Sequence, residues 1–450
     1  MPRPVSIAVV VAAIGIAFAD SSVVVLALPD LYGQLHATIV GVSWVITAYN
    51  LSVAVVALAL LFVVRRFPAV WLFSAGLVIF AGASTACALS NELSALLVAR
   101  CIQGTGGAML LAGSLPVLAR LSGSNRRGAE IWTVAGLIGA SLGPALGGLL
   151  TQLFDWRAIF AVQVPLALVG LLAIVRYRRT AAVSAAAADP QPARRTMYAN
   201  VSLGLLFGAL VGVLFLAVLL VVLVWGYSPI GGAVVVSVLP LATVASRPLQ
   251  RGVGRSAAAC AGSALVALGL VALAVLPSSS LAYAMPALAI CGAGLGLAVP
   301  VFSGAALDLG AGLTRSGTLT IGVRHLGLVL ALAVIAPILA SELPSTGNRV
   351  TLQATAVLLD APIGLGTKVP VALGVARELE NARSGQIPDL GKPFDEHGAQ
   401  HDPAVAAARD ELVSTVEETI TRAFRVPFLF AAALAGAALV LGMTVGRRLL

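Results

Sequence analysis

Charge is what this sequence has least of. Only 10% of its 450 residues are Asp, Glu, Lys or Arg, against about 25% in a soluble domain. So little charge cannot clothe a water-soluble fold of this length. Lysine is nearly absent: Lys368 and Lys392 are the only two among 28 basic residues. Cysteine is sparse, and Cys87, Cys101, Cys260 and Cys291 all fall inside apolar runs. They read as small buried side chains rather than a disulfide or metal framework. Histidine is equally thin. Glu396-His397 and His401-Asp402 stand close in sequence, but in a polar stretch without cysteine they read as a solvated turn, not a metal site. No nucleophile–base constellation appears in the apolar runs, so neither an enzyme nor a cofactor is expected.

What the chain has is hydrophobic length. Hydrophobic residues make up 59% of it, mean hydropathy is +1.00, and apolar runs of about 20 residues, enough to cross a bilayer, recur from end to end. The expected class is an all-α polytopic membrane protein whose first partner is the lipid bilayer. The net charge of +9 does not indicate nucleic acid. Residues 342–425 hold 8 basic and 12 acidic residues, and the basic excess lies in short connections elsewhere, where the positive-inside rule expects it. With both termini cytoplasmic, inner loops and termini hold 17 basic residues and the short outer loops hold Arg157 alone. Eight more fall in one long outer loop, which translocates largely regardless of charge.

The first run resembles a secretory signal, with Arg3, an apolar stretch and Ala17-Phe18-Ala19. Hydrophobicity resumes through Pro29, so it is expected to stay as the first span. Further spans are expected near Val40–Val64, Ala69–Leu89, Leu93–Leu118, Ile131 onward and Ala158–Val175. After the polar linker come Val201–Trp225, a span ending near Arg247, then Ser256–Leu276, Leu281–Ala305, Ser316–Ala340 and Val426–Val445. That makes twelve. The organisation follows as 1–176, a six-helix half; 177–199, a cytoplasmic linker; 200–340, spans 7–11; 341–425, an extracytoplasmic insertion; and 426–450, span 12 and tail. The insertion carries two amphipathic segments, near Val369–Arg383 and Pro403–Phe424.

The most specific pattern lies in the fifth span. Gly139, Gly143 and Gly147 recur every four residues, so they stack on one helix face and allow close approach of a neighbour. Pro144 interrupts the backbone ladder and leaves a carbonyl that a neighbouring helix must satisfy. Together with Gly136, Gly148, Asp155-Trp156-Arg157 and Gln163-x-Pro165, this resembles the antiporter signature of the major facilitator superfamily, specifically its drug/proton antiporters. Asp20-Ser21-Ser22 through Pro29 resembles their first-helix signature, and Trp44-Val45-x-x-Ala48-Tyr49 that of the second. Arg100-x-x-Gln103-Gly104-x-Gly106-x-Ala108 resembles their fourth-helix signature. Its glycines lack the following Lys-Ser/Thr of a nucleotide loop. The chain is most similar in pattern to the fourteen-helix exporters but has room for twelve helices. It departs from the family at Leu60–Pro68 and Gln250–Arg255, where the gate loops lack their Asp.

The resemblance implies a major facilitator fold and places spans 1 and 4 beside the central cavity of the first half. Asp20 lies nine residues before Pro29, and Arg100 seven residues into its span. At 1.5 Å per residue both are roughly 10–13 Å below the outer surface. A buried charge needs a partner, so Asp20 is expected to pair with Arg100, or to alternate between Arg100 and a proton. A static ion pair orienting two helices is the alternative. Arg324 and His325 in span 11 form a second coupling candidate, since His titrates near physiological pH. A hydrogen-bonding substitute for the Gln that relatives carry is the plainer reading of His325.

The implied activity is proton-coupled efflux of a small lipophilic or amphiphilic molecule across a bacterial inner membrane. Two alternatives stay open. One is export of an envelope lipid or metabolite handed on by the 341–425 loop. The other is a non-transporting scaffold or sensor that binds an extracytoplasmic partner through that loop.

Overall fold

The computed structural model describes residues 3–35, 39–178, 194–307, 312–383 and 390–446, and its regular elements are all helices. Most of the expected 177–199 linker, and Arg447-Arg448 of the tail, lie outside the described residues. Among the described residues, ten helices are long and apolar enough to cross a membrane. Two shorter apolar ones, Pro4–Ala19 and Arg157–Leu172, complete the set of twelve.

The first half comprises α1 (Arg3–Ala19), α2 (Ile39–Leu60), α3 (Ala69–Ala88), α4 (Leu93–Ser122), α5 (Asn125–Leu153) and α6 (Gln163–Arg178). The second contains α7 (Arg194–Val218), α8 (Pro229–Ala245), α9 (Arg255–Ala274), α10 (Leu281–Ala306) and α11 (Leu313–Asp360). The insertion adds α12 (Leu365–Arg383) and α13 (Pro403–Ala423), and α14 (Arg425–Gly446) returns through the bundle.

Small residues set the packing. The first and fifth helices of each half meet backbone to backbone: a Cβ on Gly139 of α5 would collide with Gly15 of α1, and one on Gly327 of α11 with Gly204 of α7. In lipid there is no hydrophobic drive between helices, so such close contact is what holds them together. The halves touch where α2 packs on α11 and α5 on α8, with α4 against α11 and α5 against α10. One buried apolar core runs through both.

The eleventh span departs from expectation. It was expected to stop near Ala340, yet α11 continues unbroken to Asp360 over 48 residues. At 1.5 Å per residue that is about 72 Å, more than twice the roughly 30 Å of hydrocarbon. Falling hydropathy marks the end of the membrane, not of the helix. Val350, Ala354 and Leu358 continue one apolar face, which packs with Val371, Val375, Phe394, Val405, Leu412 and Val416 into a second core separate from the membrane bundle. Both expected amphipathic segments are helices, α12 and α13. Arg409 pairs with Asp395 at 2.7 Å across that small domain, and Trp225 Nε1 donates to Thr421 Oγ1 at 3.1 Å to tie it to the bundle.

Candidate functional site

The site grows from a break in the first span. The α-helix stops at Ala19, Asp20-Ser21-Ser22 form a turn, and the chain resumes as a 3-10 helix over Val23–Ala27. Asp and Ser compete for backbone hydrogen bonds and favour such breaks. Carbonyls released inside a membrane need donors. Tyr49 OH donates to Ala17 O at 2.7 Å, Asn50 Nδ2 to Ser21 O at 3.2 Å and Arg100 Nη2 to Asp20 O at 3.1 Å. Neighbouring helices α2 and α4 thus hold the unwound segment open.

Around that break lies a closed polar ring. Arg100 Nη1 is 2.5 Å from Asp20 Oδ2, and both side chains are 0% exposed. The same Nη1 donates to Gln103 Oε1 at 2.7 Å, and Arg100 Nε to Val45 O at 2.9 Å. Gln103 Nε2 donates to Gln163 Oε1 at 2.7 Å, and Gln163 Nε2 closes the circuit on Asp20 Oδ1 at 2.7 Å. Ser84 Oγ braces the two amides, accepting from Gln103 at 2.9 Å and donating to Gln163 at 3.1 Å. Tyr49 and Phe160 present ring faces to the guanidinium at 4.6 and 5.5 Å. Every oxygen of the carboxylate is therefore engaged. Taking away one ionic partner of such a buried pair costs about 3–5 kcal/mol.

Arg324 is placed differently. It is 1% exposed and sits in a box of rings from three helices: Phe207 at 3.7 Å, Phe18 at 4.3 Å and Trp132 at 5.7 Å. Its Nε and Nη2 have no hydrogen-bond partner. Ring faces contribute about 0.5–2 kcal/mol each, but an unsatisfied buried donor costs about 1–3 kcal/mol. His325 lies beside it, stacked near Phe18 at 6.0 Å. Its Nδ1 is 2.9 Å from Ile321 O, so Nδ1 carries a proton, and in the neutral ring Nε2 accepts from Ser21 Oγ at 3.3 Å. That bond joins one half of the protein to the other. The Asp20–Arg100 pair and the Arg324–His325 pair are neighbours along α1, but Arg324 does not reach the carboxylate.

The glycine signature forms the back wall. Cβ atoms at Gly139, Gly143 and Gly147 would strike α1 at Gly15 and its break at Ala19, Ser22 and Val23, and one on Gly136 would come within 2.8 Å of the Phe18 ring. Gly148 lies against Leu26 and the α8 residues Pro229 and Ala233. The carbonyl freed by Pro144 is that of Ala140, and Ser22 Oγ donates to it at 2.7 Å. Gly104 of the fourth-helix signature lets α4 rest on the Tyr49 carbonyl.

At the arginine-rich end, a cleft opens between the halves, lined by Arg126, Glu130, Thr133, Arg247, Gln250 and Arg255. Thr133 on its wall is the chain neighbour of Trp132 in the Arg324 box. Where the second gate loop lacks its Asp, Gln250 Nε2 instead holds the carbonyls of Gly296 at 2.6 Å and Leu297 at 3.0 Å.

Several contributors carry little signal in the sequence. Gln163 stands out only as part of a motif, although it is the one polar side chain in the apolar stretch from Val162 to Ile174. Ser84 and Ser22 carried the same faint signal of a hydroxyl in an apolar run. Phe18, Trp132 and Phe207 carried none, since rings in membrane spans are ordinary.

Comparison with known proteins agrees with this architecture. The drug efflux pump JefA of Mycobacterium tuberculosis is 35% identical over 162 residues, 35% of this chain and 32% of that one. The methylenomycin A resistance protein of Bacillus subtilis is 34% identical over 160 residues, 35% of this chain and 34% of that protein. The tetracenomycin C resistance and export protein of Streptomyces glaucescens is 34% identical over 174 residues, 38% of this chain and 32% of its own length. The chain thus spans about a third of the length of the curated relatives it matches. A bacterial homolog of the human lysosomal transporter Spinster, solved inward-facing and unoccupied, superposes with a TM-score of 0.61 at 16% identity, covering 98% of both chains. That likeness is one of fold. The family model of the Major Facilitator Superfamily matches residues 10–332, and with two halves of apolar helices around a buried polar centre, this multi-pass membrane protein belongs to that superfamily.

Proposed function

We propose that the chain is a proton-coupled exporter of small lipophilic or amphiphilic compounds, working by alternating access between its two six-helix halves. The observation that carries this reading is the buried Asp20–Arg100–Gln103–Gln163 ring at the break of α1. Ionised Asp20 is held by Arg100 and Gln163. A proton on the carboxylate removes its charge and loosens both contacts, while Arg100 keeps Val45 O, Gln103 and two ring faces. The α1 break is then free to shift. Because Ser21 in that break is bonded to His325 of the other half, the shift is felt where the halves meet. Asp20 is assigned the proton and Arg100 its control. His325, with both nitrogens engaged, is assigned the role of a latch. The arginine distribution supports a bacterial inner-membrane protein with both termini in the cytoplasm. Proteoliposomes test the reading: Asp20→Asn should abolish substrate-dependent proton flux, and unchanged coupled flux in that variant would remove Asp20 from the role.

A second reading keeps the mechanism and changes the cargo to an envelope lipid or metabolite. The separate core of the insertion favours it, as does a stripe of Leu352, Leu359, Leu365, Val369 and Leu373, each more than half exposed. Excising residues 341–425 should leave a plain drug pump working and stop a lipid exporter.

A further inference from the structure

Arg324 is a positive charge without an acceptor. Asp20, the carboxylate of the neighbouring ring, is fully used by Arg100 and Gln163, and the surroundings of Arg324 are ring faces. Its Nε and Nη2 have no partner although the side chain is buried. Native proteins rarely leave a buried guanidinium in that condition. The space beside it is pinched to about 10 Å³ as the halves stand here, and it is lined from both: Phe18, Ser21 and Ala140 from one, Leu210, Leu214 and His325 from the other. A ligand there would touch both moving bodies at once, as alternating access requires.

We infer that this space, opened when the halves part, is the substrate's head-group site and that it then takes an amphiphilic anion: a carboxylate, sulfonate or phosphate bearing an apolar body. The anionic oxygens accept from the free Nε and Nη2 edge of Arg324, in the side-on geometry that a guanidinium offers a two-oxygen group. Ser21 Oγ and His325, already bonded to one another across the interface, are within the same lining and supply further polar contact. Leu210, Val211, Leu214 and Leu328 form the apolar part of the wall and receive the body of the molecule. Aromatic faces cannot themselves attract an anion, so Phe18, Trp132 and Phe207 serve the guanidinium by fixing its plane and keeping it charged in a dry place. A cation, by contrast, would meet the Arg324 charge head on. This deepens the exporter reading and rests on it.

The test uses the full chain in nanodiscs of zwitterionic lipid and three probes with one body and different heads: 2-naphthoate, 2-naphthylmethylammonium and 2-naphthalenemethanol. Calorimetric titration should show naphthoate binding at least about tenfold more tightly than either partner, the advantage of one charge-assisted contact. Arg324→Gln should erase that preference without lowering the melting temperature, since it removes an unpaired buried charge. Arg324→Lys should retain part of it. Equal or tighter binding of the ammonium probe, a preference that survives Arg324→Gln, or no binding of any probe overturns the inference. Should Arg324→Gln not fold, the wild-type comparison decides alone. Adding anionic phospholipid to the nanodiscs separates two sources of the same chemistry. Competition with naphthoate assigns the site to a lipid head group, and indifference assigns it to a free organic acid; both support the anion site. Proton-coupled flux measured separately keeps the parent reading apart. Flux without anion preference defeats only this inference, whereas absence of flux with every probe defeats the exporter reading.

Discussion

Ser22 Oγ donates to the carbonyl oxygen of Ala140 at 2.7 Å, the oxygen that Pro144 deprives of its own helical partner four residues on. Two irregularities on different helices therefore complete one another: the turn that ends α1 supplies the hydroxyl, and the proline inside α5 supplies the acceptor. Ser22→Ala should lower the unfolding free energy by about 1–3 kcal/mol, the cost of an unsatisfied buried carbonyl. Adding Pro144→Ala should recover much of that loss, because an alanine N–H at 144 rebuilds the ladder bond. Thermal unfolding of the two single variants and the double variant measures the coupling, and strict additivity would refute it.

The Asp20–Arg100 pair makes a similar argument in charge. Arg100→Gln leaves an ionised carboxylate buried and should cost about 3–5 kcal/mol. The double variant Asp20→Asn/Arg100→Gln leaves two amides that can bond one another, and should be closer to wild type than Arg100→Gln alone. Denaturation in detergent orders the three. A double variant weaker than both singles would mean that the pair is not the unit.

Glycines of the signature should differ by what faces them. Gly139→Ala and Gly147→Ala push a Cβ into the backbone of the first span, at Gly15 and Val23, whereas at Gly136 it meets the edge of the Phe18 ring, which can turn. The first two should each cost about 1–3 kcal/mol, the range for overpacking, and Gly136→Ala less. Melting temperatures of the three variants give the ranking directly.

Glu417 offers a pH dependence outside the apolar spans. Burial pushes its carboxyl above the ordinary value of 4.5, with the hydrogen bond to Ser279 pulling the other way. A raised value in the fold means that the native protein holds this proton more tightly than the unfolded chain does. Stabilisation from it is complete below 4.5 and disappears as pH rises through the raised value. At pH 7 the ionised, half-buried group opposes folding. Glu417→Gln should therefore melt higher than wild type at pH 7, and the gap should close as pH is lowered toward 4.5. A gap that widens on acidification would contradict this.

How much of this could be read from residues alone depended on what each signal measures. Depth along two spans brought Asp20 and Arg100 to the same level on paper, and they meet in space, because a charge in lipid leaves few choices. Gln163 stays obscure because an amide in an apolar run does not say which way it faces; only the placement of α6 beside α1 and α3 gives it Asp20. The rings around Arg324 come from α1, α5 and α7, and no spacing in one segment encodes a box built from three. The length of α11 is hidden for another reason. Hydropathy reports the surrounding medium, and the helix simply outlasts it.

That unbroken α11 has a mechanical consequence. Arg324, about a quarter of the way along it, and Ala354 in the second core lie thirty residues apart on one rod, about 45 Å at the rise of an α-helix. A tilt of roughly ten degrees about the Arg324 level would sweep the far end through about 8 Å over that length. The second core is thus geared to the Arg324 level, and a fluorophore on it would register such a tilt as a displacement of several ångströms.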